Sequence, residues 1–219
     1  MDLLSLDLLP PLLKGLKITL LLTIYSIALA LCIAFLTGLA RLSNFTIIRV
    51  MAMVYVEIFR GTSLLVQLFW MYFALPVLLD IHLSAMSAAV IALGLNYGAY
   101  GSEVVRSSIL AVPKGQIEAS ISLNFTPLQR MRRIILPQAW VMMLPGFGNL
   151  QIELLKGTSL VYLITLTDLT YQGMMLRSYD MSQTTAIFIW LLFFYFITSY
   201  LLTLLIRLAE RRAVVGRGI

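Results

Sequence analysis

The sequence predicts an all-α integral membrane protein: five transmembrane helices, with a two-helix cytoplasmic loop between the third and the fourth. Three observations predict it. Of the 219 residues, 60% are hydrophobic and only 12% are charged, where soluble domains are charged at about a quarter of their positions. The mean hydropathy is +0.93. The apolar residues gather in five blocks, each long enough to cross a ~30 Å hydrocarbon core at ~1.5 Å per residue, and basic residues collect at the block edges.

A soluble fold needs polar surface to cover its core, and this composition lacks it. The net charge of +6 is compatible with nucleic acid, but arginines and lysines at the ends of apolar blocks read as a topology signal instead. The single cysteine, Cys32, lies inside an apolar run, so neither a disulfide framework nor a cysteine metal site is available. The blocks are evenly spread with no Pro/Gly/Ser linker, which predicts one domain over residues 1–219.

Residues 1–17 hold Asp2, Asp7, Pro10, Pro11, Lys14 and Lys17 among leucines. Acids precede bases, and the following apolar run is long, so a retained helix is expected over 18–40 rather than a signal peptide. Its first residues are expected at the interface. The second span is expected over 50–79, interrupted by Glu57, Arg60, Gly61, Thr62 and Ser63. The third runs over 84–110, the fourth over 139–166 and the fifth over 186–208. A moderately polar loop with Asp168, Arg177 and Asp180 separates the last two spans.

The stretch 113–137 is polar and basic between two apolar blocks. It predicts two short helices. Gln116 to Leu123 forms the first, and Asn124 follows as a residue that tolerates left-handed backbone. Thr126 offers an N-cap oxygen and Pro127 suits the first helical position. The second helix is expected to stop near Pro137, because a residue before proline avoids helical backbone.

Five spans put the termini on opposite sides. One side carries Arg41, Arg49, Arg106, Lys114, Arg130, Arg132, Arg133, Arg207, Arg211, Arg212 and Arg217. The other carries only Lys14, Lys17 and Arg177. The positive-inside rule then puts the N-terminus outside, with the 113–137 loop and the C-terminal tail in the cytoplasm.

No hydrolytic triad assembles around the only histidine, His82, in a short outer loop. The KGTS at 156–159 lacks the glycine-rich loop of a nucleotide-binding motif. No zinc-type or EF-hand spacing appears, so no enzyme reading stands. Three intramembrane pairs are more informative: Glu57–Arg60, Glu103–Arg106 and Glu153–Lys156, each acid then base at i, i+3. Such pairs face each other on a helix, and charges in hydrocarbon point into a bundle or an aqueous cavity. Arg106 also stands near enough to the cytoplasmic end to snorkel, which gives its pair a structural reading. Glu57 and Arg60 precede Gly61, Thr62 and Ser63, the composition of a broken helix. Glu153 and Lys156 precede Gly157, Thr158 and Ser159. The candidate path residues are therefore Glu57, Arg60, Thr62, Ser63, Glu103, Glu153, Lys156 and Thr158. A secondary transporter or a channel with a regulatory cytoplasmic loop remains an alternative at this level.

In the loop, Glu118-Ala119-Ser120 and Ile134-Ile135-Leu136-Pro137 bracket Asn124 and residues 125–133. This resembles the signature of bacterial ABC importer permease subunits, a Glu-Ala-Ala start, a glycine, nine residues and an Ile-x-Leu-Pro end. Ser120 replaces the second Ala and Asn124 the glycine. Further stretches resemble the polar amino acid uptake branch of that family: EIFRGTSLLVQ from Glu57 to Gln67, with Ser63 where the family commonly has Pro; GSEVVR from Gly101 to Arg106; VPKGQ from Val112 to Gln116; LPQA from Leu136 to Ala139; and LKGTSL from Leu155 to Leu160. The resemblance runs from about Leu9 to Ala209.

The resemblance implies a permease dimer of identical or sister subunits in the bacterial inner membrane. It implies two cytoplasmic ATPase subunits, which hold ATP and Mg, and an extracytoplasmic solute-binding protein. No cofactor is expected on this chain and no nucleic acid among its partners. The loop would fit a cleft on the ATPase, through Glu118, Ala119, Ser120, Asn124, Ile134, Leu136 and Pro137. Arg130, Arg132 and Arg133 meet either the ATPase's acidic rim or anionic lipid. The implied cargo is a polar amino acid or a related zwitterion such as ectoine.

Overall fold

The structure, a computed structural model, describes residues 6–215. Asp2 and Arg217, used in the charge pattern above, lie outside the described residues. Those described form a helical bundle. Helix α1 is Leu9–Ala40, α2 Thr46–Gly61, α3 Leu64–Phe69, α4 Leu75–Leu79 and α5 Ala85–Leu110. Helix α6 is Lys114–Ser122, α7 Pro127–Arg130, α8 Leu136–Gly157, α9 Leu169–Tyr179 and α10 Thr184–Val215.

Helix α1 starts well before residue 18. Pro10 and Pro11 occupy its opening positions, where a missing N–H costs nothing, so Lys14 and Lys17 become part of the helix. The expected second span is broken. Helix α2 ends at Gly61, and the Leu64–Leu79 stretch leaves it at 104°, with Thr62 and Ser63 extended between them. A π-turn at Trp70–Ala74 joins α3 to α4.

Among the described residues, two helices are long and apolar enough to cross a membrane, Leu9–Ala40 and Met181–Arg212, and the bent pair makes a third if it counts as one span. Helices α5 and α8 interrupt their apolar runs with Asn96, Glu103, Arg106, Asn149, Gln151 and Glu153.

Helix α5 is the hub, and small residues let it be one. Ala88, Ala89, Ala92 and Ala99 are fully buried. A Cβ at Gly98 would fall 2.7 Å from Cγ2 of Ile33, and one at Gly94 2.6 Å from Cδ2 of Leu29. Glycine therefore lets α1 and α5 approach almost backbone to backbone, the small-residue packing that membrane helices use in place of a hydrophobic drive.

Three apolar clusters follow the bundle from end to end. Leu22, Leu68, Leu93, Val161 and Ile164 form one. Leu8, Leu12, Leu169, Ile187 and Leu191 form a second beside the start of α1. Val105, Ile109, Val112, Ile135, Met143 and Phe147 form the third, and Ile117 and Met131 pack on it. That third cluster seats the 113–137 loop on the bundle.

Two expected boundaries shift. The second loop helix does not stop before Pro137: α7 passes through a π-turn, Met131–Ile135, directly into α8. Within it the Leu136 N–H donates to Met131 O, five residues back, and the wider turn carries the helix past proline. The fourth block is α-helical only to Gly157. It tightens into a 3₁₀ helix, Thr158–Ile164, and ends at Thr165 with φ 64°. The polar segment beyond is not a plain loop: Asp168 caps α9, its carboxylate accepting from the Thr170 and Tyr171 N–H groups.

Candidate translocation site and coupling loop

The break between α2 and α3 frees helix-end carbonyls inside an apolar bundle, where each unpaired group costs several kcal/mol. Side chains take them up. Gln67 Nε2 donates to Phe59 O at 2.9 Å and to Thr62 Oγ1 at 2.7 Å. Asn96 Nδ2 donates to the same Phe59 O at 3.1 Å and to Gln67 Oε1 at 3.0 Å. Thr62 Oγ1 in turn donates to Ile58 O at 2.7 Å. Gln67 and Asn96 are both buried. The break is a built feature, and the sequence reading missed its two amides; polar residues inside apolar blocks were the available signal.

The predicted acid–base pairs divide. Glu103 bonds Arg106 as expected and also accepts from Arg41 Nη1 at 2.7 Å. Arg41 reaches Ser102 Oγ as well, at 3.4 Å. The carboxylate thus ties the end of α1 to the later turns of α5.

Glu57 and Arg60 form no ion pair with each other among the described residues. Arg60 instead lies over the Tyr100 ring, 5.1 Å from its centroid, a cation–π contact. Glu57, Arg60, Gly61 and Tyr100 line one open recess. Thr62 lines another with Gln67 and Trp70. Ser63 is exposed at the head of α3.

Glu153 and Lys156 are likewise exposed and unpaired with each other. Lys156 turns toward α10 and lines a recess with Tyr195, Ser199 and Thr203. The Glu153 carbonyl accepts from the Tyr97 hydroxyl at 3.0 Å. Thr158 is fully buried, and its hydroxyl donates back to Leu155 O at 2.7 Å. The candidates therefore line several recesses around α5 rather than one chamber. Tyr97 and Tyr100, one helical turn apart, are the residues the sequence reading passed over.

In the loop, Asn124 has φ 58°, the left-handed backbone expected of it. The turn is a Schellman motif: Phe125 N–H donates to Ser120 O at 3.0 Å and Asn124 N–H to Ile121 O at 2.9 Å. Thr126 and Gln129 then close a capping box at the head of α7. Glu118 and Ala119 are exposed, whereas Ser120 is buried with its hydroxyl on Ile117 O. Ile121, Leu123 and Leu128 are exposed beside them. Ile134, Leu136 and Pro137 are half-buried.

Outside the spans, Asp168 is fully buried. Burial pushes its carboxyl up to about 6, against the opposing pull of its bonds to the Tyr171 and Thr170 N–H groups. Asp180, exposed, is held below its ordinary value by bonds from Ser182.

The comparisons agree with this architecture. The chain is 44% identical over 217 residues to "Probable amino-acid ABC transporter permease protein y4tF" of Sinorhizobium fredii, covering 97% of this chain and 91% of that one. It is 39% identical to the L-cystine transport system permease protein TcyB of Bacillus subtilis, over 93% and 86% of the two chains. It is 36% identical to the glutamine transport system permease protein GlnP of Escherichia coli, over 93% of each. Among solved structures, "Crystal structure of an amino acid ABC transporter with histidines" matches at TM-score 0.86 and 35% identity, covering 93% of this chain and 94% of that one. An inward-facing MetNI methionine transporter chain shares the fold, at TM-score 0.76 and 20% identity over 96% and 99%. Residues 30–215 match the model of one family. The chain belongs to the binding-protein-dependent transport system inner membrane components, subunits of a transporter and not themselves enzymes.

Proposed function

We propose that this chain is the permease subunit of an ATP-driven importer for a polar amino acid or a related zwitterion, ectoine included. Five spans carry it through the bacterial inner membrane: α1, the bent α2–α4 unit, α5, α8 with its 3₁₀ extension, and α10. The N-terminus lies outside, α9 on the outer side, and the 113–137 loop with the C-terminus in the cytoplasm. A second permease subunit, identical or sister, completes the path. Two ATP-binding subunits hold ATP and Mg, and a solute-binding protein delivers cargo from outside.

The observation that carries this reading is the loop. Its bend is fixed by the Asn124 turn and the Thr126–Gln129 box, while Glu118 and the apolar Ile121, Leu123 and Leu128 face outward. A preordered acidic and apolar knob suits a cleft on a partner, since docking costs it little ordering entropy. Ala119, Ser120 and Asn124 shape the knob, and Ile134, Leu136 and Pro137 join it to α8. Glu57, Arg60, Thr62, Ser63, Glu153, Lys156 and Thr158 serve the path by charge or by shaping the backbone around it; Glu103 serves by bracing α5. The relatives named for glutamine and L-cystine transport support an amino acid as cargo.

The test is reconstitution in liposomes with labelled amino acids. Uptake is expected only when ATP-binding subunits and a binding protein are added. Gradient-driven uptake by the chain alone would overturn the importer reading in favour of a secondary transporter or channel. Glu118→Lys is expected to leave membrane insertion intact and abolish co-purification of the ATPase; undiminished co-purification refutes that role.

A further inference from the structure

Helix α8 changes type where its candidate charges sit. It is α-helical through Gly157 and 3₁₀ from Thr158, and two hydroxyls hold the carbonyls of that last turn. Thr158 Oγ1 donates to Leu155 O within the chain segment itself. The other donor crosses from α5: Tyr97 Oη reaches Glu153 O at 3.0 Å. It does so through a slot that only glycine leaves open. A Cβ on Gly157 would stand 2.7 Å from Tyr97 Oη, while Leu64 Cδ2, at the head of α3, lies 3.5 Å from the same point. The break after α2, the hub helix and the end of α8 therefore converge on Gly157.

Tyr97 also shares its face with Tyr100, whose ring carries the Arg60 guanidinium. One face of α5 thus fixes a charged residue of α2 through Tyr100 and the charged turn of α8 through Tyr97. Among the described residues, the Tyr97 hydroxyl's hydrogen bond goes to the Glu153 carbonyl, on a helical turn that carries Glu153 and Lys156 on its exposed side.

We propose that Tyr97 is a positioning residue for the path: its bond to the Glu153 carbonyl, in the slot left by Gly157, holds the last turn of α8 and so sets where Glu153 and Lys156 stand. The role rests on the importer reading above. Releasing the bond lets the turn recoil between α and 3₁₀ geometry, which moves both side chains without unfolding the bundle. Solute is then mishandled while nucleotide is still consumed.

The experiment uses the complete assembly in proteoliposomes: this chain, ATP-binding subunits and binding protein. The twenty labelled amino acids and L-cystine serve as probes, and the readout is solute accumulated per ATP hydrolysed for whichever probe the wild type takes up. Tyr97→Phe, which deletes only the hydroxyl, is expected to lower that ratio about three- to tenfold, the scale of one lost hydrogen bond. Gly157→Ala lowers it by a similar factor by evicting the hydroxyl. In the Tyr97→Phe background, Gly157→Ala adds less than about twofold, because both changes remove the same contact. Each variant is normalised to assembled complex eluting as the wild type does. An unchanged ratio in Tyr97→Phe, or effects that multiply in the double variant, overturns the role alone. With labelled ectoine added to the probes, a wild-type assembly that moves none of them overturns the importer reading and this role with it.

Discussion

Arg41, the residue that closes α1, places Nη1 2.7 Å from Oε2 of Glu103 in the later turns of α5. The same carboxylate holds Arg106. One acid thus satisfies two guanidiniums at the loop end of the bundle, beside the cluster that seats the loop.

Glu103→Gln is expected to lower stability by about 1–3 kcal/mol, since a neutral amide leaves partly buried guanidiniums short of an acceptor. Thermal unfolding of the purified chain in detergent measures it. An unchanged melting temperature would refute the brace.

Gln67→Leu is expected to be the more disruptive of two near-isosteric changes at the helix break. It strips donors from Phe59 O and Thr62 Oγ1 and an acceptor from Asn96. The whole loss is expected to cost about 1–3 kcal/mol, chiefly from the buried Asn96–Gln67 bond, since Phe59 O keeps Asn96 as a donor. Val66→Leu, on the exposed side of the same turn, is expected to cost under about 0.5 kcal/mol. Equal melting temperatures for the two variants would show that the network does not hold the break.

The turn at Asn124 calls for a backbone test. Asn124→Val places a β-branched residue at φ 58° and is expected to cost about 1–2 kcal/mol locally. Asn124→Gly is expected to match or slightly exceed the wild type. Limited proteolysis of the 113–137 loop should show faster cleavage for Val and none of that acceleration for Gly; the reverse order would sink the assignment.

Asp168 predicts a pH dependence. Its folded-state value is raised to about 6 from 3.8, so the native chain holds a proton that the unfolded chain has released. That stability is complete below about 3.8 and is lost as pH climbs through about 6, at most about 3 kcal/mol. Asp168→Asn, still able to cap α9, is expected to flatten that slope between pH ~4 and ~6. A slope that survives the substitution must come from another group.

How much of this was legible in the sequence depends on the range of the interaction. The Asn124–Thr126–Pro127 bend is local chemistry, and three residues within four positions announced it. The interruption after Gly61 was legible for the same reason. Pro137 misled because the rule about residues before proline presumes an α-helix, and the π-turn at Met131–Ile135 offers another route past it. The i, i+3 charge pairs failed at Glu57–Arg60 and Glu153–Lys156 because helical spacing permits a contact without selecting it. Tyr100 competes for Arg60, and Lys156 turns to α10. Arg41 with Glu103, and Tyr97 with Glu153, join residues more than fifty positions apart, which no periodicity reports.

The π-turn has a mechanical consequence. From Pro127 to Gly157 the chain is helical without a gap, with Pro145 inside it, a length of about 45 Å along the helix at ~1.5 Å per residue. Its handle lies in the loop and its far end carries Glu153. On the reading proposed above, a nudge from the ATPase acts on a crank with no joint at Pro137. A tilt of about 5° at the handle sweeps the far end through about 4 Å, farther than the hydrogen bond from Tyr97 can stretch.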